Sequence, residues 1–362
     1  MAQSGGNRMN YSPYSDLKVF YHTESIKGLL QGDRVAPIYV RIKPTNICNQ
    51  KCYYCVYADN KVFDSRVVDH RESIPWIIMQ KTLNELRNLG TKAITFSGGG
   101  DPLCYKYILD TFELVKKIGF DCSIITNGQA LCGDVVDYIK DFKWIRISFD
   151  SACAETYKAI RSVNTYERVL SNMSNFSQIK SKDCTFGINC VVTKNNADEI
   201  YNICKLVKDI GVDNIKVSPA LVKEDEYVYH NEIKKKVCEQ LARAKSELAS
   251  DRFAIVDKYT NDLTLSDHFE KSYNRCWIQE LFTVIAADSK IYRCHQRAYM
   301  DEGYIGDLRK DTFTNIWFSN QVAENVKNFD AKKYCDFRCA FEERNILLND
   351  FMNQDLNHIN FI

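Results

Sequence analysis

The chain has 362 residues, 45% of them hydrophobic and 26% charged, with a formal net charge of +1. That length suits one large domain or a domain with a smaller module, and the even charge balance offers no footprint for nucleic acid or an anionic membrane. No apolar run reaches the 18 residues of a spanning helix, and the polar start Met-Ala-Gln-Ser-Gly-Gly-Asn-Arg lacks the apolar centre of a secretory signal, so the expected location is cytoplasmic. Fifteen cysteines is a high count for a chain without an export signal. A reducing interior disfavours a disulfide framework, so the cysteines point to metal binding, with the remainder serving as small core hydrophobes.

Residues 1–36 read as a polar arm with a helical possibility over 16–30. From Pro37 short apolar β runs alternate with amphipathic stretches. Strands are expected at 38–42, 93–97, 122–126, 144–149, 185–192 and 214–218, and helices at 73–89, 105–117, 133–140, 166–179 and 197–210. Six β–α repeats over 37–223 predict an α/β fold, a parallel sheet with helices on its outer face. Right-handed crossovers curl it into a partial (β/α)6 TIM-like barrel, whose working groups belong at the C-terminal ends of the strands. Residues 224–270 read as a helical segment and linker. Ile233, Val237, Leu241, Ala244 and Leu248 recur at helical spacing there, and Lys234-Lys235-Lys236 reads as a solvated face. A different texture begins at Cys276, and 271–362 read as a small C-terminal module with strands at 281–287 and 290–294.

The strongest chemical signal is Cys48-Asn-Gln-Lys-Cys52-Tyr-Tyr-Cys55, three cysteines directly after the first strand. Three thiolates so close can hold three irons of a cubane cluster, leaving the fourth iron open to a cofactor or substrate. Zinc is the competing reading, although zinc motifs usually pair C-x2-C units with a fourth ligand. After the second strand stands Ser97-Gly98-Gly99-Gly100-Asp101-Pro102. Its glycines let a ligand approach the backbone closely, and the Asp101 carboxylate could balance a cationic amino group. It has neither the Gly-Lys-Ser/Thr ending of a P-loop nor a G-x-G-x-x-G pattern.

Together, the cysteine loop and the Gly-Gly-x-acid-Pro loop resemble the radical S-adenosylmethionine (radical SAM) superfamily. The resemblance covers roughly residues 37–220. It implies that Cys48, Cys52 and Cys55 bind a [4Fe–4S] cluster whose open iron holds S-adenosylmethionine (SAM). It further implies that Tyr54 packs near the adenine, and that Gly98, Gly99, Gly100 and Asp101 receive the methionine amino group. Asp101 is a departure, since relatives more often carry Glu. Ser148, in Ser148-Phe-Asp-Ser151, and Arg161 match positions that touch the SAM carboxylate; Arg161 as a surface helix cation is the plain alternative. Thr126-Asn127-Gly128 resembles a family turn, and its residues are equally explained as turn formers.

Cys276, Cys294, Cys335 and Cys339, with Gly303-Tyr-Ile-Gly-Asp-Leu308 and Phe313-Thr-Asn-Ile-Trp317 between them, resemble the auxiliary-cluster domains of this superfamily. Those occur as a seven-cysteine SPASM form and a truncated twitch form, and four cysteines suit the latter, with one auxiliary [4Fe–4S] cluster. Departures are Ser289, where the hairpin usually has Gly, and the C-x3-C spacing of the last pair. Zinc remains an alternative, and Cys238 or His295 could replace one ligand. The other eight cysteines read as core, except that Cys104 and Cys153 fall beside the expected mouth and are candidate hydrogen-atom donors.

The layout resembles the aminocyclitol dehydrogenase of aminoglycoside biosynthesis. It implies radical dehydrogenation or epimerisation of a small polyhydroxylated molecule, a sugar or aminocyclitol, with the auxiliary cluster as electron acceptor and a flavodoxin or ferredoxin as donor. The sequence does not identify a catalytic base. Modification of a ribosomally made peptide is the enzyme alternative, weakened by the short stretch before the first strand. A non-catalytic iron–sulfur or zinc scaffold is the other class. No nucleic-acid or membrane partner is expected.

Overall fold

Strand β1 (Tyr39–Ile42) alternates half-buried Tyr39 and Arg41 with fully buried Val40 and Ile42. That period of two puts one strand face against a helix layer and leaves the other to line an interior. Of β2 (Ala93–Phe96), β3 (Asp121–Thr126), β4 (Trp144–Ser148), β5 (Thr185–Val192) and β6 (Asn214–Pro219), β4 repeats that alternation strictly and the others also bury one residue of the second face. All six pair in parallel in chain order. The structure is a computed structural model and describes residues 15–58, 66–220, 228–262, 270–335, 337 and 339–361.

Helices α1 (Thr23–Gln31), α2 (Trp76–Asn88), α3 (Ile108–Ile118), α4 (Asp134–Ile139), α5 (Ala154–Arg161), α6 (Tyr166–Ile179), α7 (Ile200–Ile210) and α8 (Val228–Leu248) follow. From α2 onwards their apolar stripes meet the outward strand residues in one core. Leu83 and Leu86, Phe112 and Val115, Val169, Met173 and Phe176, and Ile203 and Val207 pack with Ile94, Phe96, Ile124, Ile147, Ile188 and Val217. The expected β–α alternation and partial barrel are thus present, although α5 was not among the expected helices.

Two regions differ from expectation. The segment read as a linker contains β7 (Ala254–Asp257), which joins β6 in parallel as a seventh strand. Its few residues are largely half-exposed, so they carry little of the apolar alternation that marks a strand. Residues 224–227 and 263–269 of the expected helix and linker lie outside the described residues. The C-terminal strands β8 (Phe282–Ile285), β9 (Lys290–Tyr292) and β10 (Tyr304–Asp307) extend the barrel's own sheet. β8 runs parallel to β1 in register, Tyr39 opposite Phe282 and Ile42 opposite Ile285, and β9 and β10 follow antiparallel. The result is a ten-stranded sheet in the order β10-β9-β8-β1-β2-β3-β4-β5-β6-β7.

The N-terminal arm packs on this C-terminal unit. Val19, Ile26 and Leu29 share a cluster with Trp277, Leu281, Phe282 and Phe341. Arg34 lies 3.9 Å over the Trp317 ring and pairs with Glu280, while the Trp317 indole donates to Val35 O at 2.8 Å. Among the eight cysteines outside the two motifs, Cys122, Cys184, Cys190 and Cys204 are buried as expected. Cys132 corrects that reading, because it is exposed in the turn before α4. Among the described residues no helix is long and apolar enough to cross a membrane.

Ser289, at the β8–β9 turn, has φ +60°, a left-handed conformation that glycine adopts without a Cβ penalty. Ser289→Gly is expected to raise unfolding free energy by about 1 kcal/mol, read as a higher denaturation midpoint with unchanged slope.

Candidate metal and cofactor site

The cysteine loop springs from the C-terminal end of β1 and is held on three sides. Lys43 N still pairs with Ile285 O at 2.8 Å, and Asn46 N donates to Glu72 O at 2.9 Å. The end of α5 supports the loop, since Lys51 N donates to Arg161 O at 3.2 Å and Tyr53 N to Ile160 O at 3.3 Å. The Gln50 amide donates to the Tyr157 hydroxyl at 2.8 Å. Cys48 is exposed, while Cys52 and Cys55 are half-buried. Burial raises the Cys52 thiol, which Arg161 partly offsets. Iron bound there would supply the positive charge that ionises the thiols of this loop.

The glycine loop is stapled to the cysteine loop by backbone. Gly100 N donates to Thr45 O and Asp101 N to Ile47 O, each at 3.0 Å. A Cβ on Gly100 would lie 2.1 Å from Ile47 O, and one on Gly99 would lie 1.9 Å from Asn46 Oδ1. No side chain fits at either position. The Asp101 carboxylate faces the chain itself, accepting from Leu103 N at 2.9 Å, Thr126 Oγ1 at 2.9 Å and Asn127 N at 2.6 Å. Burial raises its pKa and those donors pull it back. The half-exposed backbone at 98–100 is therefore what this loop presents to a ligand, with Asp101 locking β2's tip to β3's.

Asp150 does the same one strand further. Its carboxylate accepts from Val191 N at 2.8 Å, from the Tyr54 hydroxyl at 2.6 Å and from Arg161 Nη2. Arg161 also donates Nη1 to Cys52 Sγ at 3.3 Å, and its guanidinium lies 5.6 Å from the Tyr54 ring centroid. Arg161 is only 3% exposed, which overturns the surface-cation alternative. Ser148 is half-buried at the tip of β4, opposite Asn189. Asn127 places its amide 2.6 Å from Asn49 Oδ1 and 3.9 Å from Cys48 Sγ, a contact hidden behind its turn-forming role. Cys104 lies within electrostatic reach of Cys48, and burial pushes its thiol up to about 11. Cys153 turns away from such a position, its thiol donating to Thr156 Oγ1 at 3.3 Å and Glu199 Oε1 at 3.6 Å.

Lys43 and Tyr299 were missed, and no local pattern marks either. The Lys43 side chain is wholly buried, with its ammonium on the Tyr57 hydroxyl and 3.9 Å from that ring's centroid. The Tyr299 hydroxyl reaches from the C-terminal unit to Asn46 Oδ1 beside Gly99.

Cys276, Cys294, Cys335 and Cys339 wall a single cavity with Tyr273, Phe329, Phe337 and Phe341. Neither Cys238 nor His295 lines it; Cys238 sits on α8 beside Thr260. Asn345 Nδ2 approaches Cys276 Sγ at 3.5 Å and Phe341 N approaches Cys339 Sγ at 3.3 Å. Lys271 and Arg293 bring positive charge to the wall. Burial pushes Cys276 up to about 12 and Cys335 to about 11. Among the described residues no three His, Cys, Asp or Glu converge on one ion. Four thiols spread around an apolar cavity with N–H···S donors suit a polynuclear cluster.

Comparison with known proteins identifies the two regions of the chain that carry these cysteines. The model for the radical SAM superfamily matches residues 42–207, and that for an iron–sulfur cluster-binding domain, SPASM, matches 276–340. The chain carries a radical SAM domain followed by a SPASM domain. Its two domains bring a [4Fe–4S] cluster with SAM at the first and auxiliary iron–sulfur chemistry at the second. This radical SAM chain is 23% identical over 340 residues to an AdoMet-dependent heme synthase of Methanosarcina barkeri, covering 84% of it and 90% of that protein. It is 24% identical over 243 residues to a probable GTP 3',8-cyclase of Saccharolobus islandicus, covering 62% and 75%. Among solved structures, Streptococcus suis SuiB bound to S-adenosylmethionine gives a TM-score of 0.62 at 16% identity, covering 85% of this chain and 72% of that one. Native anSMEcpe with bound AdoMet gives 0.61 at 17%, covering 88% and 99%. At such identities these two structures show a shared fold.

Asp150→Asn leaves Arg161 buried against a neutral partner. We expect a loss of about 3–5 kcal/mol in unfolding free energy and weaker iron retention, read by denaturant unfolding and iron analysis of the anaerobic protein.

Proposed function

We propose that Cys48, Cys52 and Cys55 hold the [4Fe–4S] cluster and that SAM lies against the backbone of residues 98–100, with Tyr54 and Ser148 beside it. Cys276, Cys294, Cys335 and Cys339 hold a single auxiliary cluster. The bound groups supply reductive cleavage of SAM, a 5′-deoxyadenosyl radical that abstracts hydrogen, and a second centre able to take up an electron. The chain's own part is positional. Arg161 sets a fixed positive charge beside Cys52 Sγ, and Asp150 holds that charge and the Tyr54 ring in place. Asp101 keeps the glycine backbone aimed at the cysteine loop by tying it to Thr126 and Asn127.

The reaction we favour is oxidation or epimerisation at a C–H carbon of a small molecule. The observation that carries it is the four-cysteine cavity, which can surround a cluster with protein ligands alone and so suits electron transfer. The names of the two relatives, heme synthase and GTP cyclase, denote small-molecule chemistry, and the first aligns over most of both chains. For an epimerisation, Cys104 is the better-placed thiol, because Cys153 is engaged by Glu199. Peptide modification is the second reading. SuiB bound to the precursor peptide SuiA covers 91% of this chain at a TM-score of 0.61, a likeness of fold.

Anaerobic protein loaded with iron and sulfide is expected to hold about eight of each and, with dithionite and SAM, to release 5′-deoxyadenosine. Cys48→Ala should abolish that product. The Cys335→Ala/Cys339→Ala double variant should retain it while iron falls to about four. Iron-loaded protein that makes no 5′-deoxyadenosine would overturn the reading.

A further inference from the structure

The loop between β9 and β10 carries Cys294 and Tyr299, and its ends are drawn together by Arg293 N donating to Gly303 O at 2.8 Å. Tyr299 stands in this loop at φ +64°. A bulky side chain crowds the backbone in that left-handed region, so tyrosine is a poor fit there and glycine or asparagine a good one. The side chain is nonetheless buried, its ring 5.7 Å from that of Tyr292 and 6.1 Å from that of Tyr57. A strained residue fixed so tightly points to a use for its side chain.

That side chain ends beside the glycine loop of the first site. Its hydroxyl accepts from Ala287 N at 3.3 Å and donates to Asn46 Oδ1. Both oxygens fill the side of Gly99 where a Cβ would stand, at 2.8 Å for the Tyr299 hydroxyl and 1.9 Å for Asn46 Oδ1. Asn46 is buried, and its amide donates to Asp69 O at 2.9 Å while its backbone N donates to Glu72 O at 2.9 Å. The same segment returns to the β9–β10 loop, since Val67 N donates to Tyr299 O at 3.2 Å. Tyr299, Asn46 and residues 67–72 thus close a ring of hydrogen bonds against Gly99. The clamp at Gly100 N fixes the end of the glycine run, and this ring backs its middle.

Resting on the radical SAM reading above, we propose that Tyr299 is a positioning residue for SAM, contributed by the C-terminal unit. Its hydroxyl holds Asn46 against Gly99 and so keeps the backbone of 98–100 in the shape that receives the cofactor. Tyr299 acts through that backbone and not by touching SAM. The unit that carries the second set of cysteines therefore also completes the support of the first site. Linkage gives the converse: if Tyr299 tightens SAM binding, bound SAM must hold the Tyr299 loop more firmly.

The test is equilibrium dialysis of labelled SAM against anaerobic, iron-loaded protein. Tyr299→Phe keeps the ring and removes the oxygen. It should weaken SAM about five- to ten-fold, the order of one lost hydrogen bond. Iron content, and 5′-deoxyadenosine release at saturating SAM, should stay as in the unaltered protein. Tyr304→Phe, at an exposed tyrosine of β10, should leave SAM affinity unchanged. On unaltered protein, SAM should slow amide hydrogen exchange of residues 293–303 about three-fold or more. That measurement keeps the test intact should the variant misfold. The proposal fails if iron-loaded Tyr299→Phe binds SAM as tightly as unaltered protein, or if SAM leaves exchange of 293–303 unchanged. A tyrosine serving packing alone would give those results and lower only the denaturation midpoint. Either of them beside 5′-deoxyadenosine release by unaltered protein would sink this inference alone. Iron-loaded protein that binds no SAM would overturn it together with the radical reading.

Discussion

Two backbone hydrogen bonds, Gly100 N to Thr45 O and Asp101 N to Ile47 O, decide where everything else in the first site can be. They clamp the tip of β2 to the loop that carries the cysteines. The clamp is close enough that a methyl on Gly100 would strike Ile47 O. Further stitches fix the neighbouring tips, each made by a buried carboxylate. Asp101 ties β2 to β3, and Asp150 ties β4 to β5 and to the cysteine loop through Tyr54 and Arg161. The chemistry of the site thus rests on acids used as fasteners, which leaves backbone and thiols to face the cofactors.

Much of this was legible in the sequence, and the reason is locality. Strand β5 and helix α6 fall where the apolar period of the chain places them, because alternation and amphipathicity are read within a few residues. The cysteine spacing and the glycine run are equally local. What stayed hidden depends on partners distant in the chain. Nothing in the residues around Phe282 says that β8 will lie parallel to β1, and nothing around Lys43 says that its ammonium will be enclosed by Tyr57 and Tyr299. Arg161 shows the same limit. Its position in the sequence suggested either a ligand contact or a surface cation, whereas the fold buries it between Asp150 and Cys52.

The two cysteine sites differ in their surroundings. The first opens outward at Cys48 and has the Arg161 guanidinium beside Cys52. The second is enclosed by aromatic rings, with amide donors near Cys276 and Cys339. Lys43 lies within electrostatic reach of Cys55 from one site and Cys294 from the other. Burial, followed by the charges of Arg66 and Arg41, pushes its ammonium well below the ordinary lysine range, and the cysteines of both sites pull it back up, so this side chain is coupled electrically to both.

The pairing of β8 with β1 also has a bearing on how the chain matures. Strand β1 is among the first elements to leave the ribosome, and its second neighbour is among the last. Until β8 arrives, β1 offers a row of unpaired peptide groups, the kind of edge that recruits foreign strands. Closing so long a loop is entropically slow. Until then that bare edge lies beside the loop of Cys48, Cys52 and Cys55, and the segment that seals it also delivers the second set of cysteines. Sealing the sheet and bringing the second set of cysteines to the barrel are in this way a single step.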